Sequence, residues 1–192
     1  MWINNFDWLI VVDAQPEFFP KHPLVNNVIQ NIKKNIYLAM ESKLPIFFIT
    51  KRENINDWEW VIIWDDSEII IESIENMVLK SWYDKVYYLS KEGTPLLEKK
   101  ANWKILDLSD LEKVKDIFEW INTPLISGCF TLACEFAVAR DLIINNIANP
   151  KIHFSSSHDW EWSWNKEYIK KEFEKYWYDW LLIDEEFDLN LS

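Results

Sequence analysis

The sequence of 192 residues predicts a three-layer α/β/α sandwich around a six-stranded, mostly parallel sheet, a Rossmann-like arrangement. Short runs rich in β-branched and aromatic residues alternate with longer stretches whose apolar residues recur at helical spacing. The short runs are apolar almost throughout, which is typical of parallel strands buried on both faces. We expect a single domain over residues 1–192, because neither a repeat nor a linker interrupts this alternation.

Six segments are predicted as strands, and five as helices between them. The strands are residues 8–13 (WLIVVD), 45–50 (PIFFIT), 85–90 (KVYYLS), 124–128 (PLISG), 151–155 (KIHFS) and, more weakly, 180–183. The helices cover 23–42, a stretch with Ile69, Ile70, Ile74 and Met77, a stretch opening at the Ser109–Glu112 capping box, a stretch after Gly128, and 165–177. Strands and helices that alternate in this way imply right-handed crossovers between parallel strands.

The net charge of −12 argues against a nucleic acid or an anionic membrane as a partner, because nothing would offset the repulsion from phosphates. No stretch of 18 apolar residues runs without a charge, and the first residues lack the layout of a signal peptide. The two cysteines, Cys129 and Cys134, lie five residues apart without metal-type partners, which favours a reducing compartment. We therefore expect a cytoplasmic protein.

Reactive side chains stand where predicted strands end, which is where sites form in open α/β sheets. Asp13 ends the first strand, and Cys134 lies in the first turn of the helix after the fourth strand. A helix N-terminus lowers the pKa of a thiol and favours the nucleophilic thiolate. Taken one at a time, each has a structural explanation, since the cysteine can pack in a core and the aspartate can cap a turn. Together they indicate a nucleophile and a base.

Two segments resemble motifs of the isochorismatase-like cysteine hydrolases. The stretch VVDAQPEFF resembles their Asp-x-Gln-x-x-Phe opening through Asp13, Gln15 and Phe18. The stretch PLISGCFTLACEFAVARDLI resembles their Gly-Val-x-Thr-x-x-Cys-Val-x-x-Thr-Ala-x-Asp signature at Gly128, Thr131, Cys134, Ala139 and Asp141. The family's lysine precedes a Thr/Ser-Asp-Leu helix start by about nine residues, which leads from Ser109 back to Lys100, with Lys99 and Lys104 as alternatives.

The resemblance implies a catalytic role for three residues. Cys134 would be the nucleophile, Asp13 the general base that takes its proton, and Lys100 the cation that stabilises developing charge. Gln15 and Phe18 would contact the substrate. A cis peptide bond at Cys129–Phe130 would aim the backbone N–H groups of Phe130 and Cys134 into an oxyanion hole. The reaction implied is hydrolysis of a small amide or related C–N bond through a thioester.

The chain also departs from the family at informative positions. Nicotinamidases of this superfamily hold a metal through an Asp-x-His pair and a later histidine after strand two, where this chain reads FITKRENINDWEW without a histidine. We therefore expect neither a metal nor a cofactor. The three histidines, His22, His153 and His158, stand apart and are interpreted as structural or exposed. Glu135 replaces the usual valine after the nucleophile and Val138 a common threonine, which could alter packing beside Cys134.

Other functions remain open at this point. Isochorismatase itself cleaves a vinyl ether by a route that need not use the cysteine, so the family does not fix the bond cleaved. A catalytically silent protein that keeps the fold to bind a ligand or partner is a second hypothesis. A flavodoxin-like domain is disfavoured because no glycine-rich phosphate loop exists. The expected partners are a small-molecule substrate and further copies of the chain, since the family is commonly oligomeric.

The composition itself is unusual, with 13 tryptophans and only 2 glycines. Trp82, Trp120 and Trp177 stand at helix-to-strand junctions, where a glycine at the C′ position is common. We hypothesise that many of these codons are UGA codons that the source reads as glycine. The alternative is an aromatic-rich protein with a tryptophan-lined pocket.

Overall fold

The computed structural model describes residues 5–14, 18, 23–51, 62–64, 69–71, 85–91, 121–144, 146–159 and 166–183. The strands are Trp8–Val12 (β1), Ile46–Lys51 (β2), Ile62–Trp64 (β3), Ile69–Ile71 (β4), Val86–Lys91 (β5), Pro124–Cys129 (β6), Lys151–His158 (β7) and Leu182–Ile183 (β8). The helices are Pro23–Glu41 (α1), Phe136–Ile144 (α2) and Lys166–Lys175 (α3), and a π-helical turn, Thr131–Glu135, leads into α2. The predicted helix opening at Ser109 lies outside the described residues.

The central sheet is parallel and has the order β5-β2-β1-β6-β7-β8. Its sixth strand, β8, is only two residues long. Strand β1 is buried along its whole length, as expected for a strand covered on both faces. The chain leaves β1 toward β2 on one side and reaches β6 on the other, so the order reverses between β1 and β6. The predicted α/β fold class is therefore confirmed.

Helices cover both faces of this sheet. His153 of β7 contacts Asn35 of α1 at 2.8 Å, whereas the next residue, Phe154, lies under the ammonium groups of Lys166 and Lys170 of α3. Because successive side chains of a strand point to opposite faces, α1 and α3 lie on opposite sides of the sheet. The buried positions of α1 recur every three or four residues, at Val25, Val28, Ile29, Ile32 and Ile36.

The second predicted helix, which was expected to begin at Ile69, is wrong in its first residues. Ile69–Ile71 forms β4, which pairs antiparallel with β3 in a separate two-stranded sheet. Three consecutive β-branched residues favour an extended backbone, because their side chains have restricted rotamers in a helix. The other two residues of that prediction, Ile74 and Met77, lie outside the described residues.

Strand β7 runs three residues beyond its predicted end, through a polar segment. Its register against β6 shifts from Ile126↔Ile152 to Gly128↔Ser157, a pronounced bulge. The hydroxyls of the bulge are buried rather than solvated, and Ser156 Oγ lies 2.7 Å from Ser127 Oγ and 3.0 Å from Asn35 Nδ2. Partners inside the fold therefore let serines continue a buried strand.

Strands β1 and β6 approach each other very closely at the end where the site lies. Val12 is paired with Gly128, whose φ of +136° is rare for residues with a side chain. A Cβ at position 128 would lie 2.0 Å from the carbonyl oxygen of Val12. Glycine is therefore required here both by space and by backbone conformation.

All three described α-helices end in the Schellman hydrogen-bond pattern, with a residue at positive φ in the C′ position. These residues are Lys43, Asn146 and Trp177, with φ of 58°, 54° and 63°. At the end of α3, Trp177 N–H donates to Glu174 O and Tyr178 N–H to Phe173 O. The Trp177 side chain is 85% exposed, so no burial offsets the left-handed conformation. Trp82, Trp120 and the tryptophans at 160, 162 and 164 lie outside the described residues.

Trp8, by contrast, has a packing role. It is buried in β1, and its ring stacks on Phe47 of β2 with centroids 4.4 Å apart. At least one tryptophan of this chain therefore belongs to the hydrophobic core.

We predict that Trp177→Gly stabilises the protein by about 1 kcal/mol, because glycine adopts the left-handed conformation without the cost that a Cβ brings. The matched control is Trp8→Gly, which removes a buried ring and should destabilise by more than ~3 kcal/mol. Urea unfolding of both variants measures these changes. The coding DNA gives a second readout, since the recoding hypothesis expects UGA at codon 177; UGG codons at most tryptophans would end it.

Gly128→Ala should destabilise the protein by at least ~3 kcal/mol, because the methyl group collides with the backbone of β1. Ser127→Ala, one residue earlier on the same strand, loses a hydroxyl group without a backbone clash and should cost about 1 kcal/mol. Chemical denaturation of the two variants provides the comparison. Equal stability of Gly128→Ala and wild type would contradict the close approach of β1 and β6.

Candidate active site

The candidate site lies at the carboxyl ends of β1 and β6, where the strand order reverses. Crevices at such switch points are where open α/β sheets bind their ligands. Asp13 follows β1 directly, and the turn with Cys134 begins two residues after β6 ends. Asp13 and Cys134 are both buried. The topology therefore brings the predicted base and nucleophile to one edge of the sheet.

The backbone at Asp13 is held from two sides. Its N–H donates to Ile49 O of β2 at 2.8 Å, and its carbonyl oxygen accepts a hydrogen bond from the Cys129 thiol at 3.0 Å. Asp13 has a φ of +47°, a left-handed conformation that aspartate adopts more readily than most residues. These two hydrogen bonds hold the backbone of Asp13, and therefore the point from which its side chain extends.

The turn carrying Cys134 is π-helical, a form often found at functional sites. The peptide bond before it, Cys129–Phe130, is cis, at the position where the resemblance places one. Glu135 N–H and Ala133 N–H both donate to Phe130 O, at 3.1 and 3.0 Å. These two amides are therefore committed inside the turn and are not oxyanion donors.

A third amide of the turn is bound by a side chain from another strand. Leu132 N–H donates to Asp159 Oδ2 at 2.7 Å, and Asp159 directly follows β7. The residue at the local N-cap position, Phe130, supplies no side-chain cap. A buried carboxylate at a helix N-terminus is stabilised by the exposed N–H groups and the helix dipole. Asp159 therefore anchors the turn that carries Cys134 to the end of β7, a role that the sequence analysis missed.

Phe18, which the resemblance predicts to contact the substrate, lies beside the turn. Its ring packs edge-to-face on Phe130, with centroids 5.9 Å apart and an interplanar angle of 80°. Phe130 itself is buried and Phe18 is half-buried. The pair forms an aromatic wall next to the turn. Gln15, Lys99, Lys100 and Lys104 lie outside the described residues.

Glu135 is the second residue of the site that the sequence analysis did not assign a role. Its side chain is fully buried, and Ser157 Oγ lies 2.8 Å from its Oε1. Burial raises the pKa of Glu135 well above its ordinary value, the negative charges of Asp159 and Asp13 raise it further, and the hydroxyls of Ser157 and Thr131 act in the opposite direction. The only sequence signal was the replacement of the family's valine at this position.

Metal chemistry has no built site in the described part of the chain. No group of three His, Cys, Asp or Glu side chains there is arranged to hold a metal ion. The segment after β2 where nicotinamidases carry their ligands, residues 52–61, lies outside the described residues and has no histidine. The donor set present does not match that metal site. Among the histidines of the chain, His153 is buried and contacts Asn35, and His22 lies outside the described residues.

No helix in the described ranges has the length and apolar character needed to cross a membrane.

Comparison with known proteins shows similarity of fold to several solved structures. No family model matches the sequence, and no curated protein matches it. A nicotinamidase from Bacillus subtilis superimposes with a TM-score of 0.61 at 16% identity, covering 93% of this chain and 98% of that one. A pyrazinamidase/nicotinamidase from Streptococcus mutans gives a TM-score of 0.58 at 14% identity, covering 92% and 99%.

A third similar structure is the pyrazinamidase of Pyrococcus horikoshii in complex with zinc, with a TM-score of 0.56, 16% identity and coverage of 94% and 98%. The N-carbamoylsarcosine amidase from Thermoplasma acidophilum also matches, with a TM-score of 0.50, 18% identity and coverage of 88% and 90%. The chain therefore has the fold of the isochorismatase-like hydrolases.

Proposed function

We propose that this protein is a cysteine amidohydrolase that cleaves a small-molecule amide or related C–N bond. The observation that carries the proposal is the meeting of Asp13 and the Cys134 turn at the switch point of the sheet, with the Asp13 backbone tied to Cys129. The similar structures are amide-cleaving enzymes by name, which supports the same reaction class.

The reaction starts with proton transfer from the Cys134 thiol to the Asp13 carboxylate. The thiolate attacks the amide carbonyl carbon, and the C=O electron pair moves onto oxygen. Backbone N–H groups of Phe130 and Cys134 stabilise the oxyanion, and Lys100 stabilises the negative charge that develops on the thiolate and then on this oxygen. Collapse of this intermediate breaks the C–N bond, and Asp13 returns the proton to the departing amine.

Hydrolysis of the thioester completes the cycle. Asp13, again a carboxylate, takes a proton from water as the water oxygen attacks the acyl carbon. The C–S bond then breaks, Asp13 returns this proton to the departing Cys134 thiolate, and the carboxylic acid product departs. The aromatic pair Phe18–Phe130 beside the turn supports a small, planar acyl group as the substrate portion bound there.

The proposal predicts that Cys134→Ala abolishes amide hydrolysis and that Asp13→Asn lowers kcat/KM by about 10²–10⁴-fold, because a general base is lost. Ammonia release from a panel of small primary amides, aromatic and aliphatic, measures both. Cys129→Ser is the matched thiol control, since a hydroxyl can still donate to Asp13 O. Asp7→Asn is the matched carboxylate control, because Asp7 lies before β1 at the opposite edge, where it accepts from Asn122 N–H and Thr123 N–H.

Both controls should retain most of the activity. Equal loss of activity in Asp7→Asn and Asp13→Asn would contradict the role given to Asp13. Absence of turnover in the wild type with every amide, together with measurable binding of one of them, would favour a catalytically silent binding protein. Turnover of a vinyl ether by Cys134→Ala would point to the isochorismatase-type reaction instead.

A further inference from the structure

Glu135 is a buried carboxyl group without a role in the mechanism above. It follows Cys134 directly, and its side chain has no exposure to solvent. Its Oε1 contacts Ser157 Oγ of β7 at 2.8 Å, while Oε2 makes no hydrogen bond with the described residues. An ionised carboxylate buried in this way would leave most of its lone pairs unsatisfied, which is costly. The geometry therefore favours the neutral acid.

The Ser157 hydroxyl faces two oxygens and has one proton to donate, either to Glu135 Oε1 or to the carbonyl oxygen of His153. Ser157 Oγ also lies 2.9 Å from the carbonyl oxygen of His153, which can only accept. A serine has one hydroxyl proton, so when Ser157 donates to His153 O it can only accept from Glu135. A neutral Glu135 supplies that donor, so that Glu135 Oε1, Ser157 Oγ and His153 O all take part in hydrogen bonds.

The groups around the turn reinforce this state. The negative charges that act on Glu135 among the described residues are those of Asp159 and Asp13, and with burial they raise its pKa. The titratable groups around the turn come from several elements. They are Asp13 after β1, Cys129 from β6, Asp159 after β7, Cys134 from the turn itself and, on the outer side of the turn, Glu172 from α3. Strand β7 also contributes the carbonyl oxygen of His153. The His153 ring faces α1 instead, through Asn35.

We propose that Glu135 is a positioning residue that works as a neutral carboxylic acid, donating to Ser157 to hold the nucleophile turn on β7, and that its ionisation disables the site. An ionised Glu135 loses this donor and adds a negative charge beside Asp13 and Cys134, which opposes formation of the thiolate. The loss of reactivity rests on the proposed function of Cys134; the neutral state of Glu135 does not.

The experiment compares the wild type with Glu135→Gln, which is nearly isosteric, keeps a donor toward Ser157 and cannot ionise. Glu172→Gln is the matched control, since it makes the same change on the outer side of the same turn, where Glu172 is near Lys175. Two readouts are followed from pH 4.5 to 9.5. They are the melting temperature and the rate of Cys134 alkylation by iodoacetamide, located by fragmentation mass spectrometry.

The melting temperature tests the neutral state without any substrate. A glutamate with a raised pKa in the folded protein binds its proton more tightly than in the unfolded chain, where the pKa is about 4.3. Its stabilising contribution is complete below that pH and is lost as the pH rises toward the folded value. The melting temperature of Glu135→Gln relative to wild type should therefore rise with pH, whereas Glu172→Gln should give no such trend. A flat or falling difference for Glu135→Gln overturns the proposal.

The alkylation rate tests the coupling to the nucleophile. At alkaline pH, Cys134 should react about fivefold or more faster in Glu135→Gln than in wild type, with similar rates near pH 6. A rate ratio that stays constant across the pH range overturns the coupling. If Glu135→Gln does not fold, the infrared C=O band of a protonated carboxylic acid is followed in the wild type instead. Its presence at pH 6 and loss at alkaline pH is the expected result, and its absence at pH 6 is the contrary one.

Neither readout uses an amide substrate, so the outcome is separate from that of the amidase assay. A wild type that cleaves no amide would remove the proposed function and still leave the ionisation of Glu135 decided by the melting temperatures.

Discussion

The site depends on one close approach between two backbones, that of Gly128 on β6 to Val12 on β1. This contact lies where the strand order reverses, so it determines how near the segments leaving the two strands come to each other. The next residues then form a second link, from the Cys129 thiol to the Asp13 carbonyl oxygen. Without a side chain at 128, the segment after β1 that carries Asp13 and the turn after β6 that carries Cys134 can leave the sheet side by side.

The site also depends on buried polar groups around the turn that carries Cys134. Asp159 binds an amide of the turn and Ser157 contacts Glu135; Ser157 lies in the bulged part of β7, and Asp159 directly follows that strand. Such groups stabilise a site only when each has a partner, because the low dielectric makes an unpaired one costly. The polar end of β7 thus fixes the turn from the side opposite Asp13. A hydrophobic replacement of these groups would pack well and lose the defined orientation.

Much of the fold could be predicted from the sequence because its strands are apolar runs with clear ends. Residues 8–13, 45–50 and 124–128 differ from the observed strands by one residue at most at each end. Prediction failed where distant partners decide the outcome. The polar segment Ser155–His158 continues β7, with the Ser156 hydroxyl bound by Asn35 and Ser127, and the cap from Asp159 comes from 27 residues beyond Leu132. Neither interaction can be predicted from neighbouring residues in the sequence. The position of Trp177 at a helix end, by contrast, could be predicted from the sequence around it.

The central claim, that Cys134 is an acylated nucleophile, is tested most directly by trapping the covalent intermediate. The protein would be quenched in acid during turnover of a reactive amide, and the peptide holding both cysteines would be fragmented in the mass spectrometer. The account predicts an acyl group on Cys134 and none on Cys129. An acyl group on Cys129, or amide turnover that persists in Cys134→Ala, would contradict it.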